Sequence, residues 1–156
     1  MAFTINRSLR DILRSGLNGS EFSINDQTQL GYSESGKKAG ELDLEIRIHG
    51  FPYAIIEALI ISSRKVFDSH LSKLIHNYNQ VGCGNLALIC YCKSNCFEDD
   101  CSNIKKWISE GNTIFDYNEI ETGYGGLRKI VGNVSHLGMS EVITVYAVRV
   151  SSPCEV

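Results

Sequence analysis

Asp43 and Glu57 are the residues of this chain best suited to chemistry. They lie 14 positions apart in the stretch Gly40–Leu59, GELDLEIRIHGFPYAIIEAL, on two apolar runs separated by a Gly-Phe-Pro turn at Gly50–Pro52. Along one strand they are too distant to share a ligand, but a reversal at the turn lays Asp43 beside the strand that carries Glu57. Two carboxylates held together repel each other unless a cation neutralises them, and hard oxygen donors suit Mg2+, with Mn2+ as a substitute. The pattern predicts a divalent-metal site with Asp43 and Glu57 as ligands. The chemistry such a site would support is hydrolysis of a phosphodiester by a metal-activated water.

That reaction also requires a cationic group to orient the water or to offset charge developing on the phosphate. Lys73 fills that role best, because the helix that carries it follows the Glu57 strand directly. His70, one turn earlier, suits a proton shuttle, a phosphate contact or a donor to a carboxylate. Asn77 adds a polar contact to substrate on the same helix face. Each also has a plainer reading. Asp43 shares a polar strand face with Glu41 and Glu45, which compete for the metal, and Lys73 alone reads as a solvated helix lysine. Glu57 is the exception, since a lone acid in an apolar run costs several kcal/mol unless it is paired or metal-bound.

These residues need a scaffold. Leu9, Ile12 and Leu13 form one stripe of a short amphipathic helix over Asn6–Gly16, whose outer face carries Arg7, Arg10 and Arg14. Arg10 on that face is a candidate phosphate contact, against the alternative of a solvated helix surface. Asn18–Gly40 reads as a long loop or irregular hairpin with one short strand at Glu21–Ile24. Glu41–His49 alternates apolar and polar residues and predicts a half-exposed strand, whereas Tyr53–Ser62 is almost continuously apolar, as in a strand covered on both sides. Phe67, Leu71, Leu74, Ile75 and Tyr78 give helical periodicity to Ser63–Tyr78. A buried strand at Asn85–Tyr91, a short helix at Asn103–Ser109 and a terminal strand at Val142–Val150 complete the order. Gly111–Gly138 is weakly patterned and reads as loop; within it ETGYGGLRK is a glycine turn that brings Arg128 and Lys129 toward a phosphate. The order predicts an α/β sandwich with a mixed central sheet.

Length and composition set outer bounds. At 156 residues the chain is expected to form a single domain over 1–156, with its core at about 6–110. A net charge of -3, from 15 basic and 18 acidic residues, argues against bulk electrostatic binding of nucleic acid but leaves room for a local basic patch. None of the six cysteines forms a CxxC pair, and Cys90 and Cys92 alternate with apolar residues in LALICYC as small buried hydrophobes. No run is long enough to span a bilayer, so the expectation is a cytoplasmic protein without membrane contact. Neither a glycine-rich phosphate loop nor a serine nucleophile elbow is present, which disfavours nucleotide hydrolysis and acyl transfer.

The carboxylate hairpin followed by a helix resembles the PD-(D/E)XK, or restriction-endonuclease-like, superfamily over roughly Asn6–Tyr91. The resemblance implies a restriction-endonuclease-like α/β/α sandwich, with Asp43 as the first metal-binding acid and Glu57 as the acid of the second motif. Leu59 stands where that motif usually has its catalytic lysine; some members supply the lysine from the following helix, which points to Lys73. EAL followed by HLSKLIHNYN looks like nuclease domains of bacterial defence or mobile-element proteins. The resemblance further implies Mg2+-dependent endonucleolytic cleavage of DNA, with RNA as the lesser alternative, and with 5′-phosphate and 3′-hydroxyl ends. A homodimer, with the tail strand Val142–Val150 at its interface, would let each site cut one strand, and a larger defence protein is the implied partner. The competing expectation is a catalytically degenerate fold that binds nucleic acid or assembles with protein.

Overall fold

A computed structural model describes residues 11–16, 21–26, 44–79 and 82–151. A seven-stranded mixed sheet runs through these residues, with helices packed against it. Its strands are β1 (Phe22–Asp26), β2 (Leu44–Ile48), β3 (Phe51–Ile60), β4 (Asn85–Lys93), β5 (Phe115–Ile120), β6 (Leu127–His136) and β7 (Met139–Val150), in the spatial order β1-β2-β3-β4-β7-β6-β5. The first three strands form an antiparallel meander. β3, β4 and β7 are mutually parallel neighbours, and β7, β6 and β5 are again antiparallel. Parallel neighbours need a crossover. Helix α1 (Arg64–Ser72) continuing into a π-helical segment Lys73–Tyr78 supplies the first, and helix α2 (Phe97–Gly111), followed by the β5–β6 hairpin, supplies the second.

Local sequence explains where these elements begin and end. Ser63 caps α1, its hydroxyl accepting from the Val66 amide at 3.3 Å. Glu98, Asp99 and Asp100 occupy the first turn of α2, where negative charge suits the helix dipole, and Asn112 ends that helix in the left-handed region at φ 54°. α2 is longer than the helix expected at Asn103–Ser109, because its first turn is polar and masks the periodicity. The β2–β3 reversal passes through His49 and Gly50, both at positive φ, and the strands pair Leu44 with Ile56 and Glu45 with Ile55.

β3 is covered on both faces, as its apolar run predicts. Ile55 and Leu59 join the main core beneath Phe67, Leu71, Leu74 and Ile75, together with Leu86, Leu88, Cys90 and Cys92 of β4. Ile56 lies on the other face with Leu44 and Ile46, against Leu13 of the short helical segment at residues 11–16. Ile114, Ile130, Val134, Ile143, Val145 and Ala147 also belong to the main core, so that core includes residues well beyond 110.

Gly111–Gly138, expected as loop, contains β5 and β6. β5 is exposed along its whole length, so no alternation marks it, and β6 has a glycine where its buried face should show an apolar residue. That glycine is required: a Cβ at Gly132 would lie 2.7 Å from Ile114 Cγ2 and 2.8 Å from Tyr117 Cβ. Gly132→Ala should therefore destabilise the protein by about 1–3 kcal/mol through overpacking, whereas Gly111→Ala, with open space around it, should not. Urea unfolding of the two variants checks this, and equal midpoints would contradict it. The tail strand, expected at an interface between copies, is internal: β7 pairs with β4 on one side and β6 on the other, leaving no backbone edge to offer. No helix among the described residues is long and apolar enough to cross a membrane.

Candidate functional site

Strand pleating decides which residues can meet. Ile55, Glu57 and Leu59 alternate onto the helix face of β3, and directly above them runs α1. Glu57 is completely buried there, and its Oε1 lies 2.6 Å from His70 Nδ1. His70 is itself buried. With Glu57 ionised, the carboxylate can only accept, so His70 donates from Nδ1. A fully desolvated carboxylate is tolerable because it is held in such a pair. Thus Glu57 and His70, singled out from separate segments, are in direct contact.

Lys73 is half-buried at the first position of the π-helical segment, one turn beyond His70, and Asn77 is exposed near its end. The switch from α to π register falls between His70 and Asn77, so the single flank expected for an uninterrupted α-helix is rotated along its length. π turns are uncommon and are frequently found at functional sites. Leu59 is buried in the main core; it cannot offer the contact that a lysine at that position would make.

Glu45, on the helix face of β2, is the acid that competes with Asp43 for the metal in the sequence. It is engaged instead by Arg47, whose Nε and Nη2 reach Oε2 and Oε1 at 2.8 and 3.2 Å. The side-chain hydrogen bond to Glu45, followed by its charge, raises the Arg47 pKa above the ordinary value. Such a two-pronged pair satisfies both oxygens. Asp43 and Arg10 lie outside the described residues, as does Glu41. Among the described residues, no group of three or more His, Cys, Asp or Glu is arranged to hold a metal ion.

Arg128 and Lys129 are not brought to Glu57. Pairing runs across the sheet from Glu57 to Leu88, Val145 and Ile130, so β6 lies three strands away, or about 14 Å at the usual inter-strand spacing. Arg128 bonds to Glu98 at 3.2 and 3.4 Å and lies over the Phe97 ring at 5.6 Å, with Arg149 over the same ring at 4.6 Å. Lys129, next along the strand, points to the opposite face. His49 and His76 are exposed; the His76 ring lies 5.5 Å from that of His136. Sequence reasoning passed over another buried acid, Glu141. Its signal was the one that exposed Glu57: an acid in phase with the apolar residues Ile143, Val145 and Ala147.

The buried cysteines are structural. Burial pushes the Cys92 thiol up to about 12 and the Cys90 thiol well above its ordinary range. The native state therefore holds a proton that the unfolded chain releases near pH ~8.5, so this contribution to stability is complete below that pH. It is lost as pH rises through about 12. Cys92→Ala should flatten the decline in unfolding free energy above pH ~9 by about 1.4 kcal/mol per pH unit. Urea titrations at several alkaline pH values read the slope, and parallel slopes for wild type and variant would refute the assignment.

Comparisons with protein-family models, with curated proteins and with solved structures find no match to this chain.

Proposed function

We propose that this protein is a metal-dependent phosphodiesterase acting on DNA, built on a restriction-endonuclease-like core. The observation that carries this reading is the buried Glu57–His70 pair at the middle of a strand covered by its own crossover helix. The surrounding order also supports it: a short helical segment, a three-stranded antiparallel meander, a crossover helix and a parallel fourth strand are compatible with such a core.

Mg2+ suits the donor set, since this ion is commonly held by one or two carboxylates with the remaining positions left to water and substrate phosphate. Glu57 and Asp43 are the residues that would hold it; Asp43 precedes Leu44, whose strand partner Ile56 precedes Glu57. Bound there, the ion would supply Lewis acidity suited to activating a water at neutral pH. The protein's own residues do the rest. Glu57 fixes the orientation of the His70 ring through Nδ1, and His70 serves as the proton shuttle. Lys73 supplies positive charge toward the phosphate, and Asn77 contacts substrate farther along the helix.

Leu59 favours a second reading, a degenerate nuclease fold that binds nucleic acid or a protein partner without cutting. Cleavage of supercoiled plasmid, linear duplex, single-stranded DNA and RNA with Mg2+, Mn2+ or EDTA separates the two. Metal-dependent cutting supports the enzyme, and its preference among substrates names the nucleic acid. A folded, concentrated protein that cuts none of them would leave binding as the function.

A further inference from the structure

Another buried carboxylate lies away from Glu57. Glu141, on β7, faces the helix layer and is only 3% exposed. Its Oε2 accepts a hydrogen bond from Asn79 Nδ2, and its Oε1, also buried, has no hydrogen-bond partner among the described residues. Gly82 closes over that oxygen; at φ 68°, a Cβ there would come within 3.0 Å of it. Pairing of Val142 with Asn85 sets Glu141 four residues along β7 and two strands across from the Glu57 row, about 16 Å away by strand geometry.

Asn79 is the junction. It is completely buried and leaves the helix immediately after the π-helical segment, at φ -88° and ψ 51°. Its Oδ1 accepts from the Cys83 amide at 2.7 Å, and its main-chain carbonyl accepts from His136 Nε2 at 3.0 Å. A carbonyl only accepts, so His136 carries a hydrogen on Nε2. One residue thereby ties the end of the crossover helix to β7, to β6 and to the turn that enters β4. At the other end of the same stretch, His70 is tied to Glu57.

A π register competes with the ordinary α register of the same residues and persists where surrounding contacts fix it. Here buried polar anchors fix both ends, and Lys73 and Asn77 lie between them. We propose that Asn79, Glu141 and His136 form a positioning latch that holds the π register of Lys73–Tyr78 and so sets the direction in which Lys73 and Asn77 leave the helix. The latch itself stands on geometry alone; its consequence for cleavage rests on the phosphodiesterase reading.

The test compares Glu141→Leu, which removes the acceptor, with Glu141→Gln, which keeps an oxygen for Asn79, in the full chain. Amide hydrogen exchange over Lys73–Asn79 should accelerate by about tenfold or more in Glu141→Leu relative to α2, and stay near wild type in Glu141→Gln. Cleavage by Glu141→Leu should lose kcat through the displaced Lys73 and gain in KM through the displaced Asn77. Unchanged exchange over Lys73–Asn79, or an equal rise throughout the chain, would overturn the latch. If Glu141→Leu does not fold, His136→Leu against His136→Gln makes the same comparison at the other bond. A wild type that cuts nothing would sink the phosphodiesterase reading, while the exchange result would still decide the latch.

Discussion

Glu57→Gln should reduce metal-dependent cleavage by at least about 100-fold while leaving the fold in place. The carboxamide matches the carboxylate in shape and keeps an oxygen for His70 Nδ1, 2.6 Å away in the wild type, so the buried hydrogen bond survives. What disappears is the negative charge that attracts the cation and favours the His70 tautomer bearing a proton on Nδ1. Glu57→Ala is a poorer probe, because it leaves a buried histidine without its acceptor, which costs about 1–3 kcal/mol. Circular dichroism and urea unfolding establish that the glutamine variant is folded; plasmid cleavage then gives the effect. Wild-type cleavage by Glu57→Gln would remove Glu57 from the chemistry. Lys73→Ala sharpens the assignment: loss of cutting there supports a lysine supplied by the helix, and retained cutting with Glu57→Gln inactive would keep the enzyme and dismiss Lys73.

Phe67→Ala should cost about 3–5 kcal/mol, the largest loss of stability expected from a single truncation here. Phe67 is 1% exposed on the sheet side of α1, and its ring lies 5.7 Å from that of Trp107 on α2. It therefore fills the junction of both helices with the sheet, where a closely packed surround cannot collapse into the space left behind. For a chain of this size the loss corresponds to a fall in Tm of roughly 6–20 °C. Arg64→Ala, on the same helix, is the control. Its ion pairs to Asp68 at 3.4 Å and Glu110 at 2.7 Å are partly exposed, and such pairs contribute about 1 kcal/mol or less. A Phe67→Ala variant as stable as Arg64→Ala would show that the helix layer is not packed through this ring. Because the same helix carries His70, its cleavage should fail at a lower temperature than that of the wild type.

By itself the sequence determined the local elements whose burial is one-sided or complete. The continuous apolar run at β3, the 3.6-residue periodicity of the crossover helix and the in-phase acid at position 57 all depend on short-range patterns, and all are legible before folding. So are the small hydrophobic roles of Cys90 and Cys92. Tertiary structure decided the rest, because those outcomes depend on partners distant in the chain. β5 shows no alternation since neither of its faces is buried, and β6 conceals its pattern behind Gly132, which is small to admit Ile114 and Tyr117. Parallel pairing of β4 with β7 skips β5 and β6, so nothing local to Val142–Val150 could tell that both its edges are occupied. The fate of each charge was settled in the same way. Arg47 engages Glu45, Glu98 engages Arg128, and His70 engages Glu57; side-chain charge is written in the sequence, but desolvation and the choice of partner exist only once the sheet and its helices have closed on one another.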